Sequence, residues 1–452
     1  SLDLLKKKLG GMLVDVNNSD QGISLYTFEA DSWKSCSVLI ERAILENNGD
    51  LPGYRAYVTG KHISIRGYFT ARDGSEMSSK LKYALESIES IVKDSRNQLR
   101  GSGWMIYNTK RDLNDAKVVW LIAGEGNLNH QNMSELINNI PTLSDWLEIV
   151  NNVRGKDFSI LSLLRAYSDE SSSKDDKELL RIRAMLNRAD IATQIIAITV
   201  FGFSEIIKDL GIDPDILIGH SAGETDAVIL SGLVGVPSRE KIEEIIHKLN
   251  NFYLENNLLA GMPLGECYTV AGITSEDLIK LCKPDNGLEI ISINSPTQAV
   301  VFASKNKSKL LEEKVSKYGG FILPTGLKRP YHTKYFKKGA EIYEEFYKKV
   351  LGEGERLEKI VTVISCLDGK SYEGKPIEVY DRLIKQWQKP VDFRKAIDSA
   401  FSAGGRIFIE IGPSSMLSSY AKETLKGKDG YHVFALGTSA KDPIRCFIET
   451  MA

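Results

Sequence analysis

An α/β fold built on a parallel sheet is the architecture this sequence predicts, and three observations carry it. Residues 118–123 (VVWLIA), 214–218 (PDILI) and 406–411 (RIFIEI) are short apolar runs bounded by turn residues, the mark of strands buried on both faces. Helical patterns separate them, the most apolar at residues 190–210, so the strands are expected to run parallel through helical crossovers. Between about residues 261 and 325 the order becomes strand 268–273, helix 275–282, strand 288–294, strand 299–303, helix 310–318 and strand 321–324. That succession predicts a small split βαβ insert of the ferredoxin-like type.

Residues 1–115 read as a separate small α/β unit. Residues 24–30 (SLYTFEA) form a strand pattern, 32–48 have helical spacing of Leu39, Ile40, Ala43 and Ile44, 61–71 alternate, and 75–92 are helical again. The polar run 168–176 (SDESSSKDD) reads as an exposed loop. The remaining organisation is a larger domain over 116–440 and a short tail over 441–452, with no internal repeat. A chain of 452 residues accommodates two or three domains.

Composition narrows the function. A net charge of −2 gives no basic excess for nucleic acid. No stretch approaches the roughly 18 uninterrupted apolar residues of a membrane span, and the opening SLDLLKKKLGG has no signal-peptide core. The five cysteines, Cys36, Cys267, Cys282, Cys366 and Cys446, are scattered and contain no CxxC pair. Neither a metal site nor a disulfide framework is expected, and a reducing cytoplasm is.

The chemistry concentrates at residues 215–224 (DILIGHSAGE), where Gly219-x-Ser221-x-Gly223 follows a strand and precedes a helix. So tight a strand-to-helix turn needs small flanking residues and thrusts the serine hydroxyl into a cleft. The helix start then offers N–H groups to a developing oxyanion, the amide of Ala222 first among them. A serine hydroxyl needs a base, and the candidates are His62, His130, His220, His247, His332 and His432. His220 sits in the turn itself, with its ring expected to point away from the serine. His332 stands in KRPYHTKYF, just after Pro330. Local sequence alone leaves any of these histidines open to a structural role.

Gly219-His220-Ser221-Ala222-Gly223-Glu224 resembles the GHSxGE signature of malonyl-CoA:acyl carrier protein transacylases and of the acyltransferase domains of polyketide and fatty-acid synthases. Further elements follow in that family's order: Gly124-Glu125-Gly126, Thr193-Gln194, Asn294-Ser295-Pro296, Tyr331-His332, Gln386 before Pro390-Val391, and Glu410-Ile411-Gly412-Pro413. The match covers about residues 116–440. Gly60-Lys61-His62 with Arg66 is similar to the linker subdomain that precedes the acyltransferase in type I synthases, so the chain resembles either a piece of a larger synthase or a stand-alone relative.

The resemblance implies an α/β hydrolase-like core with a ferredoxin-like subdomain. It implies Ser221 as nucleophile and His332 as base, the latter oriented by a backbone carbonyl at Gln386 rather than by a carboxylate. The oxyanion hole would comprise Glu125 and Ala222, and the acyl pocket Gln194, His220, Ile246, Tyr268, Asn294 and Phe336. The implied substrate is an acyl-CoA, the acceptor the phosphopantetheine thiol of an acyl carrier protein, and no cofactor is bound. Ketosynthase or other synthase domains are expected partners. The basic run Lys328, Arg329, Lys334, Lys337 and Lys338 is the expected docking surface for carrier or CoA phosphates.

Three positions depart from the family's pattern. Glu125 replaces the family's glutamine at the oxyanion turn. The arginine that clamps a dicarboxylic acyl group is missing: its expected place falls near Ile246, with only His247 or Lys248 as weaker substitutes and Arg239 too early. Tyr268 replaces a pocket methionine. The missing arginine and Tyr268 point to an acyl group other than a dicarboxylic one, while a carboxylate at residue 125 is unfavourable beside an oxyanion unless it points away. An acyl hydrolase acting on carrier proteins, an inactive docking or scaffold domain, and a general esterase are the competing readings.

Overall fold

The computed structural model describes residues 23–47, 54–59, 64–94, 98–108, 115–125, 130–154, 159–168, 176–186, 188–235, 238–259, 261–350, 360–438 and 443–451. The N-terminal unit comprises β1 (Ser24–Ala30), the helix Trp33–Glu46, β2 (Tyr54–Val58), β3 (Ile65–Ala71), the helix Gly74–Asp94, β4 (Gln98–Gly101) and β5 (Trp104–Asn108). Its sheet has the order β2-β1-β3-β5-β4. The first helix is capped by Ser32, whose hydroxyl accepts the Ser35 N–H at 3.2 Å, and it buries Leu39, Ile40 and Ala43, three of the four positions its spacing predicts, with Ile44 partly buried. Arg66 of the linker-like motif pairs with Glu29 at 3.1 Å on the surface. Gly60, Lys61 and His62 lie outside the described residues, as do 169–175 of the polar run.

The chain then supplies β6 (Lys117–Ile122), β7 (Ile216–Gly219), β8 (Gly265–Ala271), β9 (Leu288–Ser295), β10 (Gln298–Ser304), β11 (Phe321–Pro324), β12 (Thr362–Val363), β13 (Val391–Asp392), β14 (Gly405–Ile411) and β15 (His432–Ala435). Five of these form the central sheet, β12-β7-β6-β14-β15, with every neighbouring pair parallel. Side chains alternate between two cores: Trp120 and Ile122 face one, Val119 and Leu121 the other. Strands buried on both faces explain why the sequence runs are continuously apolar rather than alternating.

The insert sheet has the order β11-β8-β10-β9-β13. Its first four strands, with the helices Ser275–Leu281 and Ser308–Ser316, make the ferredoxin-like unit. The fifth, β13, comes from beyond the predicted insert and pairs parallel to β9, stitching insert to core. The helix Ala189–Asp209 contains a stretch, Asp190–Asp209, long and apolar enough to cross a membrane, but it lies inside the main core. Residues 441–452 were expected as a tail; instead the helix Pro443–Met451 packs Phe447 and Ile448 into the main core. It also joins the N-terminal unit, through a two-pronged ion pair of Arg445 with Glu76 at 2.9 and 3.0 Å and a Thr70–Glu449 hydrogen bond of 2.7 Å.

Candidate active site

The sharp turn after β7 holds one of the three non-glycine residues with positive φ among the described residues. Ser221 adopts φ 56°, and the helix Gly223–Ser231 starts two residues later. A left-handed backbone at a residue with a side chain costs about 1–2 kcal/mol, and it is held here because the turn is over-packed. A Cβ at Gly219 would collide with the Gly223 carbonyl oxygen, and one at Gly223 would lie 2.5 Å from the Ile122 oxygen. Glycine is required at both places, which is the physical content of the GxSxG pattern. Across the sheet, a Cβ on Gly124 would strike the His220 carbonyl oxygen and approach the Ala222 nitrogen to 3.3 Å. The chain leaving β6 is therefore pressed against the turn, and Glu125, the next residue, lines the same cavity as Ser221. Gly126 lies outside the described residues.

His332 is the second catalytic candidate in left-handed conformation, with φ 57°. Its Nε2 stands 2.7 Å from Ser221 Oγ, and its Nδ1 stands 3.1 Å from the Gln386 carbonyl oxygen. A carbonyl can only accept, so Nδ1 carries the proton and Nε2 presents its lone pair to the serine. Gln386 is used twice, because its side-chain Nε2 also donates to the Ser221 carbonyl at 3.2 Å. The imidazole lies flat on Trp387, with centroids 5.1 Å apart and planes at 8°. Trp387 stacks in turn on Tyr343 and donates its indole N–H to Tyr347 at 3.2 Å. Burial holds the His332 pKa down at about 4, against the Gln386 hydrogen bond that raises it. The ring is neutral at pH 7 and competent to accept a proton.

His220 points the other way along the turn. Its Nε2 meets Asn294 Oδ1 of β9 at 3.0 Å, and its ring abuts Phe393 edge-on. It ties the elbow to the insert. Glu224, the last residue of the signature, is fully buried. Its carboxylate accepts from the hydroxyls of Ser365 and Tyr372 at 2.5 and 2.6 Å and from the Cys366 N–H at 3.1 Å. Sequence reasoning assigned Glu224 no role, yet it fastens the helix after the nucleophile to the loop after β12. Replacing it by alanine strands three buried donors, each worth about 1–3 kcal/mol when unpaired. Glu224→Ala is expected to lose about 3 kcal/mol or more in chemical denaturation.

The cavity above the serine measures about 810 Å3. Of the expected pocket residues, His220, Asn294 and Phe336 line it. Three do not. Ile246 is packed in the main core; on the same helix, Arg239–Glu255, it is Tyr253, two turns further along one face, that reaches the cavity. Tyr268 turns into the insert's own core and donates to Glu266 at 3.0 Å, because successive strand residues face opposite sides; Thr269 lines the cavity instead. Gln194 is fully buried and donates to the Asp190 carbonyl at 2.6 Å, while its neighbour Thr193 reaches Glu125 at 3.3 Å. The weaker substitutes are also elsewhere: His247 is exposed, and Lys248 is paired with Glu244 at 2.5 Å. Arg239 covers Trp146 at 4.8 Å from its ring centre.

Lys328, Lys334, Lys337 and Lys338, close to His332 in sequence, are exposed, and Lys337 approaches Glu341 to 4.0 Å. Arg329 is half-buried instead, and its guanidinium donates to the Met262 carbonyl at 2.5 Å. Trp387, Tyr253 and Tyr343 escaped the sequence reading. Only Trp387 carried a signal, its adjacency to Gln386. All five cysteines are free thiols. Among the described residues no cluster of His, Cys, Asp and Glu could hold a metal ion.

Fold and geometry together define an α/β hydrolase-like protein with a ferredoxin-like subdomain and a serine and histidine in hydrogen-bond contact. No family model matches the chain. Its relatives are malonyl-CoA–acyl carrier protein transacylases and synthases that make polyketides or fatty acids. A polyunsaturated fatty acid synthase polypeptide of Thraustochytrium is 24% identical over 371 residues, 80% of this chain and 12% of that protein. The malonyl CoA-acyl carrier protein transacylase of Bacillus subtilis is 28% identical over 226 residues, 48% of this chain and 67% of that one. Thus the chain spans about an eighth of the Thraustochytrium synthase polypeptide. Among solved structures, the acyltransferase domain from module 8 of the salinomycin polyketide synthase superposes with a TM-score of 0.69 at 17% identity, over 96% of this chain and 95% of that one. The Clostridium perfringens malonyl CoA-acyl carrier protein transacylase gives 0.54 at 22% identity, over 72% and 94%. The fold is that of the acyltransferases.

Proposed function

We propose that this chain moves an acyl group from an acyl-CoA to the phosphopantetheine thiol of an acyl carrier protein through an acyl-serine on Ser221. The observation that carries this reading is the 2.7 Å contact of Ser221 Oγ with a neutral His332 whose other nitrogen is held by the Gln386 carbonyl. In the first half-reaction Nε2 takes the serine proton as Oγ attacks the thioester carbonyl carbon. The N–H groups of Glu125 and Ala222 face the oxyanion. The carbon–sulfur bond breaks, the CoA sulfur takes the proton from His332, and the acyl-serine remains. In the second, the carrier thiol gives its proton to Nε2 as its sulfur attacks the ester carbonyl carbon, the carbon–Oγ bond breaks, and Ser221 Oγ takes the proton back from His332.

The acid limb of this chemistry follows from the His332 environment. The base works only when unprotonated, so acylation by acetyl-CoA is expected to rise with pH through about 4 rather than through the ordinary histidine value of 6.5. Rapid-quench acylation rates across that range check it, and a midpoint at the ordinary histidine value would remove the buried, carbonyl-held His332 from the mechanism.

The proposed docking surface for an acidic carrier protein is the set of exposed lysines that flank His332 in sequence, Lys328, Lys334, Lys337 and Lys338. Reversing Lys334 and Lys338 to glutamate is expected to slow transfer to holo-carrier protein about tenfold at low salt, with the difference shrinking at high salt. The same assay separates transferase from hydrolase: acyl-carrier formation exceeding release of free acid supports the former. The acyl group proposed is a monocarboxylic one such as acetyl. Among the described residues the one Lys or Arg lining the cavity, Arg188, is paired with Asp190 at 3.0 Å, and burying an unpaired carboxylate costs several kcal/mol.

A further inference from the structure

The departure at residue 125 has a steric and electrostatic setting that goes beyond the missing arginine. Glu125 lines the cavity together with Ser221 and His332. Its carboxyl is reached by the Thr193 hydroxyl at 3.3 Å, and that hydroxyl accepts in turn from Tyr253, which is bonded to Tyr343 at 2.7 Å. Among the described residues Arg188 is the one Lys or Arg lining the cavity. Its Nε and Nη2 both go to the Asp190 carboxylate, at 3.1 and 3.0 Å. A substrate carboxylate entering here meets a second carboxyl group and a cation already engaged by an aspartate.

We propose that Glu125 is a specificity-determining residue that turns away acyl groups bearing a free carboxylate, and that it does so through its negative charge. This rests on Ser221 being the acyl acceptor. Other titratable groups share the cavity. Tyr253, Tyr331 and Tyr343 lie close enough to feel Glu125, and burial raises all three hydroxyls above their ordinary range. Burial lowers His220 and His332, leaving both rings neutral near pH 7. His130 also lines the cavity. Asp190 and Arg188 form a pair. The Glu125 carboxyl is pushed up to about 7, by burial first, against the Thr193 hydrogen bond and with further help from Asp190. It is uncharged below that value and charged above it. An acyl carboxylate is ionised throughout, since ordinary carboxyl groups titrate near about pH 4. The repulsion therefore switches on as pH rises through neutrality.

The experiment measures kcat/KM for acetyl-CoA over that for malonyl-CoA, at about pH 6 and about pH 8, in the wild-type chain and in Glu125→Gln and Glu125→Asp. The ratio is expected to rise about tenfold between the two pH values in wild type, to stay level and fall about tenfold lower at the upper pH in Glu125→Gln, and to regain its pH dependence in Glu125→Asp. A wild-type ratio that does not change with pH, or one that Glu125→Gln leaves unaltered, overturns the proposal. Intact mass after acetyl-CoA treatment is recorded alongside. An acyl adduct with an unresponsive ratio sinks the role of Glu125 alone, whereas the lack of any adduct with any acyl-CoA sinks the acyl-serine reading as well.

Discussion

Ser221→Ala is expected to abolish self-acylation by acyl-CoA while leaving the fold in place. The substitution deletes one hydroxyl whose described partner is His332 Nε2, and the turn keeps its glycines at 219 and 223. Alanine carries the same left-handed backbone cost as serine at φ 56°, so stability should change by less than about 1 kcal/mol. Transfer to carrier protein should fall by about 10³-fold or more, leaving only what the oxyanion donors and binding supply. Far-ultraviolet circular dichroism and the denaturation midpoint report the fold; radiolabelled acyl transfer reports the chemistry. Undiminished transfer by this variant would remove the nucleophile from the account.

His332→Ala should cost about 10²–10⁴-fold in the acylation rate, the range general base catalysis supplies. The loss should appear in kcat rather than in KM, because the imidazole acts on the serine proton and not on the acyl-CoA. His220→Ala serves as the comparison. His220 bonds Asn294 across the elbow, so its removal should loosen the insert against the core and lower stability, with a smaller loss of rate. Equal rate losses in two folded variants would reverse the assignment of base and positioning residue.

How much of this was legible in the sequence depends on how local each signal was. The elbow was, because Gly219, Ser221 and Gly223 are contiguous and their steric reasons lie in one turn and the strand beside it. The ferredoxin-like insert was, because its order of strands and helices is unbroken. The His332–Gln386 contact was not accessible to side-chain chemistry at all. It runs through a backbone carbonyl, and only the family resemblance pointed to residue 386. The errors came from frame. Counting from the serine placed Ile246 in the pocket, but the helix Arg239–Glu255 is set so that Tyr253, seven residues on, meets the cavity. On β8 the choice of Tyr268 over Thr269 is a slip of one residue, and on a strand one residue exchanges the two faces. Gln194 and Thr193 repeat the lesson on a helix. Glu224 was read as part of a signature and not as a buried carboxyl, since its partners Ser365, Cys366 and Tyr372 lie more than a hundred residues away and no period or motif connects them. Glu125 was flagged as a departure, while its bond from Thr193, the link on to Tyr253 and the Arg188–Asp190 pair in the same cavity emerged only with the fold.

The account turns on a covalent acyl group at one hydroxyl, and intact-protein mass spectrometry of the 452-residue chain after incubation with a panel of acyl-CoAs addresses it most directly. The prediction is a mass increase of one acyl group from a monocarboxylic donor such as acetyl-CoA, carried by the peptide containing Ser221 and lost when holo-carrier protein is added. An unmodified chain with every donor, or an adduct mapped to any other residue, would contradict it.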